Sequence, residues 1–140
     1  MQLVDANVLL YAVNEDAPNH ATARSWLDGA LAGQETVAFA WVVLLAFLRL
    51  STYTGLFPRP LALDQAADVV ELWLGRPAAI VAHPTERHLS LMRGLLTGVG
   101  TAANLVTDAH LAALALEHAA EIVSFDRDYQ RFEGIRWRTP

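Results

Sequence analysis

Short apolar runs of strand type alternate along this chain with segments of helical period, and that alternation constrains the fold more than any other feature. The runs are Gln2–Val4, Thr36–Ala40, Ala79–Ala82 and Glu121–Phe125, with Ile135–Trp137 as a candidate fifth. Between the first two, Ala21–Leu31 carries Ala23, Trp26, Leu27, Ala30 and Leu31 at helical spacing and ends at Gly33. Further helices are predicted from about Trp41 to Tyr53 and from Leu63 to Leu74, the latter with Asp64 as its cap. Two more are predicted from Thr85 to Leu96 and over Ala109–Ala120, the last starting at Thr107 or Asp108. Gly55, Pro58 and Pro60 mark a loop, and Gly94, Gly98 and Gly100 mark another. Strands and helices in alternation imply an α/β fold around a parallel sheet.

The chain's 140 residues suit one domain, expected to span 1–140, and a hydrophobic fraction of 54% is ample for its core. Cysteine is absent, which removes disulfides, thiolate metal sites and a cysteine nucleophile, and fits a cytoplasmic protein. The N-terminus has no basic region before its apolar run, so no targeting segment is expected. Val37–Leu48 is too short for a bilayer, which needs roughly 20 apolar residues, and no membrane partner is expected. The net charge of −5 has the wrong sign for binding nucleic acid through overall charge, so any such contact must be local. All 10 basic residues counted as Lys+Arg are arginines. Without lysine, phosphoryl-aspartate chemistry and a P-loop nucleotide site are both disfavoured. A serine hydrolase has no nucleophile elbow to support it.

The acids fall at the ends of elements. Asp5 closes the first strand, Asp108 opens the late helix, and Asp126 follows the fourth strand with Asp128 just beyond. Ligands of open parallel sheets bind beyond the carboxyl ends of the strands, where strand order reverses. Asp5, Asp108 and Asp126 are therefore candidates for one pocket. Clustered carboxylates need protons or a cation, and hard cations such as Mg²⁺ or Mn²⁺ prefer oxygen ligands. A cation held this way suits phosphodiester hydrolysis. Each acid also has a structural alternative. Asp108 fits a helix cap, Asp126 and Asp128 fit a tight turn, and Asn7 fits either a partner of Asp5 or a local backbone bond. Asp5 is the hardest to explain structurally, because an acid ending an apolar strand is costly without a partner.

At these residues the chain resembles the PIN-domain family, and within it the VapC toxins. The matching segments are Leu3–Asp16 (LVDANVLLYAVNED), Trp41–Thr52 (WVVLLAFLRLST) and Asn104–Phe132, the last being the most specific. The resemblance implies an α/β/α sandwich with a central, mainly parallel sheet and Mg²⁺- or Mn²⁺-dependent endoribonuclease activity. It also implies a homodimer and inhibition by a cognate VapB-type antitoxin. It maps the family's acidic cluster onto Asp5, Asp108 and Asp126, with Asn7 beside Asp5 and Asp128 as a weaker, outer candidate. In the middle segment Ala46 stands where the family usually carries glutamate, which removes a charge and one or two oxygen ligands. That departure motivates an alternative: a PIN-like domain that binds antitoxin or RNA without cutting. Ala46→Glu followed by an RNA-cleavage assay separates the two.

Arg49 lies one helical turn after Ala46 and reads equally well as a phosphate contact or as an acid's structural partner. Arg127 and Arg131 are expected to be exposed. His110 and His118 are expected on the surface, and His20 is open to either role. Trp26, Trp41 and Trp73 are expected in the core or at a dimer contact rather than as base-stacking platforms.

Overall fold

The computed structural model describes Met1–Pro140 and contains five parallel strands: β1 (Gln2–Val4), β2 (Val37–Ala40), β3 (Ala79–Ala82), β4 (Glu121–Val123) and β5 (Trp137–Arg138). Their order is β3-β2-β1-β4-β5, with every neighbouring pair parallel. Val37, Ala38, Phe39 and Ala40 are all fully buried. Such an unbroken apolar run is what a parallel strand covered on both faces requires. Burial of side chains such as Leu3, Phe39 and Ile122 stabilises the fold by roughly 1.5–3 kcal/mol each.

Helices α1 (Ala6–Val13) and α2 (His20–Ala32) join β1 to β2, while α3 (Trp41–Ser51) and α4 (Leu63–Leu74) join β2 to β3. The chain then reverses direction across the sheet through α5 (His88–Val99) and α6 (Val106–Glu117) to reach β4. Right-handed crossovers put helices on one face while the chain moves one way and on the other face after it turns back. The packing agrees: α1 touches α2 and α3, α3 touches α4, and α5 pairs with α6. The result is the expected α/β/α sandwich. No helix is long and apolar enough to cross a membrane.

Several local expectations are corrected. Helix α1 has no counterpart in the sequence reading, because Val8, Leu9, Leu10 and Ala12 are all buried and leave no polar face to reveal a period. Gly94 and Gly98 lie inside α5, which runs on to Val99, and only Gly100 ends it, with a left-handed φ of 77°. Nothing in the structure requires glycine at 94 or 98. Helix α4 is capped at Ala62, whose N–H donates to Gln65 Oε1 at 2.9 Å, so Asp64 sits in the first turn instead.

Two consequences of this topology place the site. Strand order turns at β1 and β4, so the crevice beyond their carboxyl ends is where a ligand belongs. A crossover helix runs antiparallel to the strands it joins, so the start of α6 returns to that same edge.

Candidate metal centre

Asp5 leaves β1 beside β4: its N–H donates to the Val123 carbonyl at 3.1 Å. Its carboxylate Oδ1 accepts from the Ala6 N–H at 2.6 Å, which caps α1. The other oxygen, Oδ2, accepts from Asn7 Nδ2 at 2.9 Å and from the Ser124 hydroxyl at 2.6 Å. Ser124 is fully buried and has its bonding capacity filled, since its oxygen also accepts from Asn7 Nδ2 at 2.8 Å and from the Asp126 N–H at 2.9 Å. Asn7 Oδ1 accepts from the Phe125 N–H at 3.1 Å. Asn7 and Ser124 thus staple the end of β1 to the end of β4. Asn7 is thus the partner of Asp5, and its backbone bond goes to Phe125 beyond β4 rather than to the local backbone. Ser124 was missed, although a hydroxyl inside the apolar run Ile122–Phe125 was a signal that something there needed a partner.

Asp126 follows β4 and opens a short 3-10 turn, Arg127–Arg131, by accepting from the Asp128 N–H at 2.8 Å. Its turn role is therefore real, but it does not exhaust the residue. Asp108 is not a helix cap: α6 begins at Val106, and Asp108 lies within its first turn without a capping bond. Carboxylate oxygens of Asp108, Asp126 and Asp128 lie within 4.8 Å of one another. Asp5 stands outside that tight trio but within its field. Burial pushes the Asp5 carboxyl up, and the Asp126 charge adds to this against the lowering effect of the bonds from Ser124 and Ala6. Asp108 is pushed up to about 6, first by burial and then by the charges of Asp126, Asp5 and Asp128. Asp108 and Asp126 do meet, Asp128 joins them in place of Asp5, and Asp5 lies near enough for its charge to act on Asp108.

Magnitudes decide between structure and function here. Two like charges about 5 Å apart repel by about 3 kcal/mol at an effective dielectric of 20. A turn or capping bond contributes only about 1 kcal/mol, and the helix dipole at Asp108 roughly 0.3–1 kcal/mol. Neither offsets such repulsion. The only cationic side chain paired with the cluster is Arg131, 3.7 Å from Asp128, and both groups are about half exposed. A pair of that kind contributes at most about 1 kcal/mol. Tyr129 deepens the imbalance. It is fully buried, its hydroxyl has no well-formed hydrogen bond, and its acidity is suppressed by burial and by the charges of Asp5, Asp108 and Asp126. An unmade buried bond costs about 1–3 kcal/mol. Oxygen-only donors at this spacing fit a divalent cation, whose metal–oxygen distances of about 2.0–2.6 Å allow ligand oxygens up to roughly 5 Å apart.

The remaining candidates are placed as follows. Ala46 is partly buried on α3, adjacent to buried Phe47, and Arg49 is exposed on the same helix. Arg127 and Arg131 are exposed, as expected. His110 is not a free surface residue: its Nδ1 is 2.7 Å from His88 Nε2, and His88 Nδ1 is 2.8 Å from Glu117 Oε2. His118 bonds the His83 carbonyl at 2.9 Å, and His20 bonds the Tyr11 carbonyl at 2.8 Å, which ties α2 to α1. Trp73 is core, packed edge-on to Phe47 at 4.9 Å, whereas Trp41 is 50% exposed. Trp26 lies beneath Arg138, 5.9 Å from the ring centre.

The PIN domain family model matches residues 3–135 of this chain. Ribonuclease VapC37 of Mycobacterium tuberculosis (strain H37Rv) is 58% identical over 140 residues, covering 100% of this chain and 97% of that protein. The chain belongs to the PIN-domain family, among the VapC ribonucleases. The PIN fold is matched by the crystal structure of Mycobacterium tuberculosis VapC20, described as a sarcin-ricin loop cleaving toxin. That match has a TM-score of 0.70 at 17% identity and covers 97% of this chain and 99% of that one. It is matched again by VapBC2 from Rickettsia felis bound to a DNA fragment from the promoter, with a TM-score of 0.69 at 17% identity and coverage of 99% and 98%. At such identity these two structures speak to the PIN fold alone. The VapC relative shares far more of the sequence.

Proposed function

We propose that this VapC-family chain is the toxin of a toxin–antitoxin pair and cuts RNA at the cluster formed by Asp5, Asp108, Asp126 and Asp128. The observation that carries this reading is the approach of Asp108, Asp126 and Asp128 oxygens to within 4.8 Å with almost no compensating positive charge. Asp108 and Asp126 would hold a Mg²⁺ or Mn²⁺ ion, with Asp128 in the same group of oxygens and Asp5 as the further candidate. Bound there, the cation supplies charge neutralisation and an activated water for attack on a phosphodiester. Ser124 and Asn7 hold Asp5 in one orientation, so its carboxylate needs no rearrangement when the charge around it changes. Asp126 and Asp128, at the start of the turn after β4, are candidates to orient an attacking water or to take up its proton. Arg49 is a candidate phosphate contact from α3.

The partner proposed is a VapB-type antitoxin, in line with the VapBC complex from Rickettsia felis that shares the fold. A homodimer is proposed as well, and the exposed Trp41, Leu45 and Leu72 are apolar surface available to such partners.

The test is cleavage of a structured RNA by the purified chain with Mg²⁺ or Mn²⁺, compared with Asp126→Asn. We expect cleavage that chelation abolishes and that the substitution reduces by roughly 100-fold or more. Equal cleavage by both proteins, or cleavage that persists in chelator, refutes the metal-centred reading.

A further inference from the structure

We infer that the cavity between α5 and the turn after β4 takes one unpaired nucleobase of the RNA, close to the phosphate that is cut. This deepens the proposed function and rests on the reading that the chain cuts RNA.

The cavity has a volume of about 340 Å³, and its lining includes Ser90, Gly94 and Gly98 of α5, Leu116 of α6, and Arg131 and Glu133 beyond β4. The two glycines have no role in the fold. Neither has a positive φ, both lie inside the helix, and a Cβ at either would meet nothing within 4 Å. Glycine is the least favourable helix-interior residue apart from proline, so α5 is weakened twice for no gain in packing. What the missing side chains leave is the cavity itself. Leu95 is the one buried residue of α5, so the chain's own core does not cover this side of the helix.

Position and size say what fits. At the rim, Arg131 lies 3.7 Å from Asp128, whose carboxylate belongs to the acidic cluster. Asp108, Ala112 and Leu116 follow one another at four-residue spacing, so the cluster and the cavity lie along one side of α6. A substrate held at the cluster can therefore reach the cavity with a neighbouring nucleotide. A cube of 340 Å³ is about 7 Å on a side, too narrow for a helix about 10–12 Å across but wide enough for one flat ring and its sugar. Leu116 offers an apolar wall to the ring face. Arg131 and Glu133 place a donor and an acceptor at the rim, and the edge of an unpaired base presents both kinds of partner. Charge points the same way. With a net charge of −5 the chain cannot hold RNA by phosphate attraction alone, and a base site supplies binding that needs no such attraction.

The experiment compares wild type, Gly94→Leu, Gly98→Leu and Gly29→Leu by cleavage kinetics on one structured RNA with Mn²⁺, by Mn²⁺ titration calorimetry and by metal-free melting. Gly29 is the control: an exposed glycine inside α2, with open space at its Cβ and no part in the cavity. All three variants should fold and melt at or above the wild-type temperature, since each replaces a helix-interior glycine without a clash. Leucine at 94 or 98 fills the cavity and should raise KM for RNA about 10-fold, as the loss of one stacked base does. Their kcat should stay within threefold of wild type and their Mn²⁺ affinity within twofold, and Gly29→Leu should change none of the three. Wild-type KM in folded Gly94→Leu and Gly98→Leu overturns the base site and leaves the metal centre standing. So does a defect seen only in self-association or antitoxin binding, or a fall in Mn²⁺ affinity as large as the change in KM. A wild type that cuts no RNA with Mn²⁺ overturns the proposed function and this inference with it.

Discussion

Helix α6 carries a carboxylate near each end, Asp108 in its first turn and Glu117 at its last residue, and the protein treats the two in opposite ways. The helix dipole favours a negative charge at the start and disfavours one at the end. The acidities run the other way. Asp108 is pushed up to about 6 by burial and by three neighbouring aspartates. Burial also acts to raise Glu117, but the Thr85 hydroxyl, His88 and the Thr85 N–H together hold it below the ordinary glutamate range. Glu117 has two donors on one oxygen, Thr85 N–H at 3.1 Å and the Thr85 hydroxyl, and His88 at 2.8 Å on the other. Beyond His88, the chain of bonds continues to His110. A dipole contribution of roughly 0.3–1 kcal/mol is outweighed at both ends by local donors and charges.

The difference separates a polar group that serves the fold from one kept for chemistry. The Glu117 network answers its own charge and pins the start of α5 to α6. The Asp108 cluster leaves its charge unanswered, so the folded protein is poised for something that neutralises it.

The sharpest way to break this comparison is Asp108→Asn. It should lower RNA cleavage by about 100-fold or more. In the metal-free protein it should also remove repulsion and raise stability by about 1–2 kcal/mol after allowance for solvent screening, seen as a melting temperature several degrees higher. A variant that loses both activity and stability would make Asp108 an ordinary structural residue. Glu117→Ala should do the reverse. It strips the partners from His88 and the Thr85 N–H and should cost about 2–4 kcal/mol in urea unfolding. Mn²⁺ affinity should stay within twofold of wild type. A large fall in metal affinity would merge the two networks into one.

The smallest expected effect is on pH dependence. Asp108 has a folded value of about 6 against an ordinary 3.8, so the folded state keeps a proton that the unfolded chain releases. Stability from this group is therefore present below about pH 4 and is lost as pH rises through about 6, by up to about 1.4 kcal/mol per pH unit. Metal-free protein should melt a few degrees lower at pH 7.5 than at pH 5. Added Mn²⁺ should stabilise it more at pH 7.5, where protons no longer compete. Melting curves at both pH values, with and without Mn²⁺, check the sign; a flat profile would show that the cluster does not titrate as a unit.

Much of the architecture was readable before the fold was seen, and the failures have physical causes. Strand β2 was visible because a fully buried parallel strand is a continuous apolar run, and β1 because Asp5 interrupts such a run abruptly. Helix α1 was hidden by its own burial. Gly94 and Gly98 suggested a loop because glycine lowers helix propensity by only about 1 kcal/mol per residue, which the packing of α5 against α6 overrides. In the site, Asp5, Asp108 and Asp126 were legible from their places at element ends. Ser124, Tyr129 and the central position of Asp128 were not, since a serine in a strand and a tyrosine in a turn carry no local mark of what they face.

The sequence by itself determined the α/β alternation and the placing of carboxylates at strand and helix ends, because period and element boundary are properties of neighbouring residues. Only the tertiary structure decided which of those carboxylates meet. Ser124 lies 119 residues beyond the Asp5 it bonds, and such a distance is closed by strand order and register rather than by any local preference.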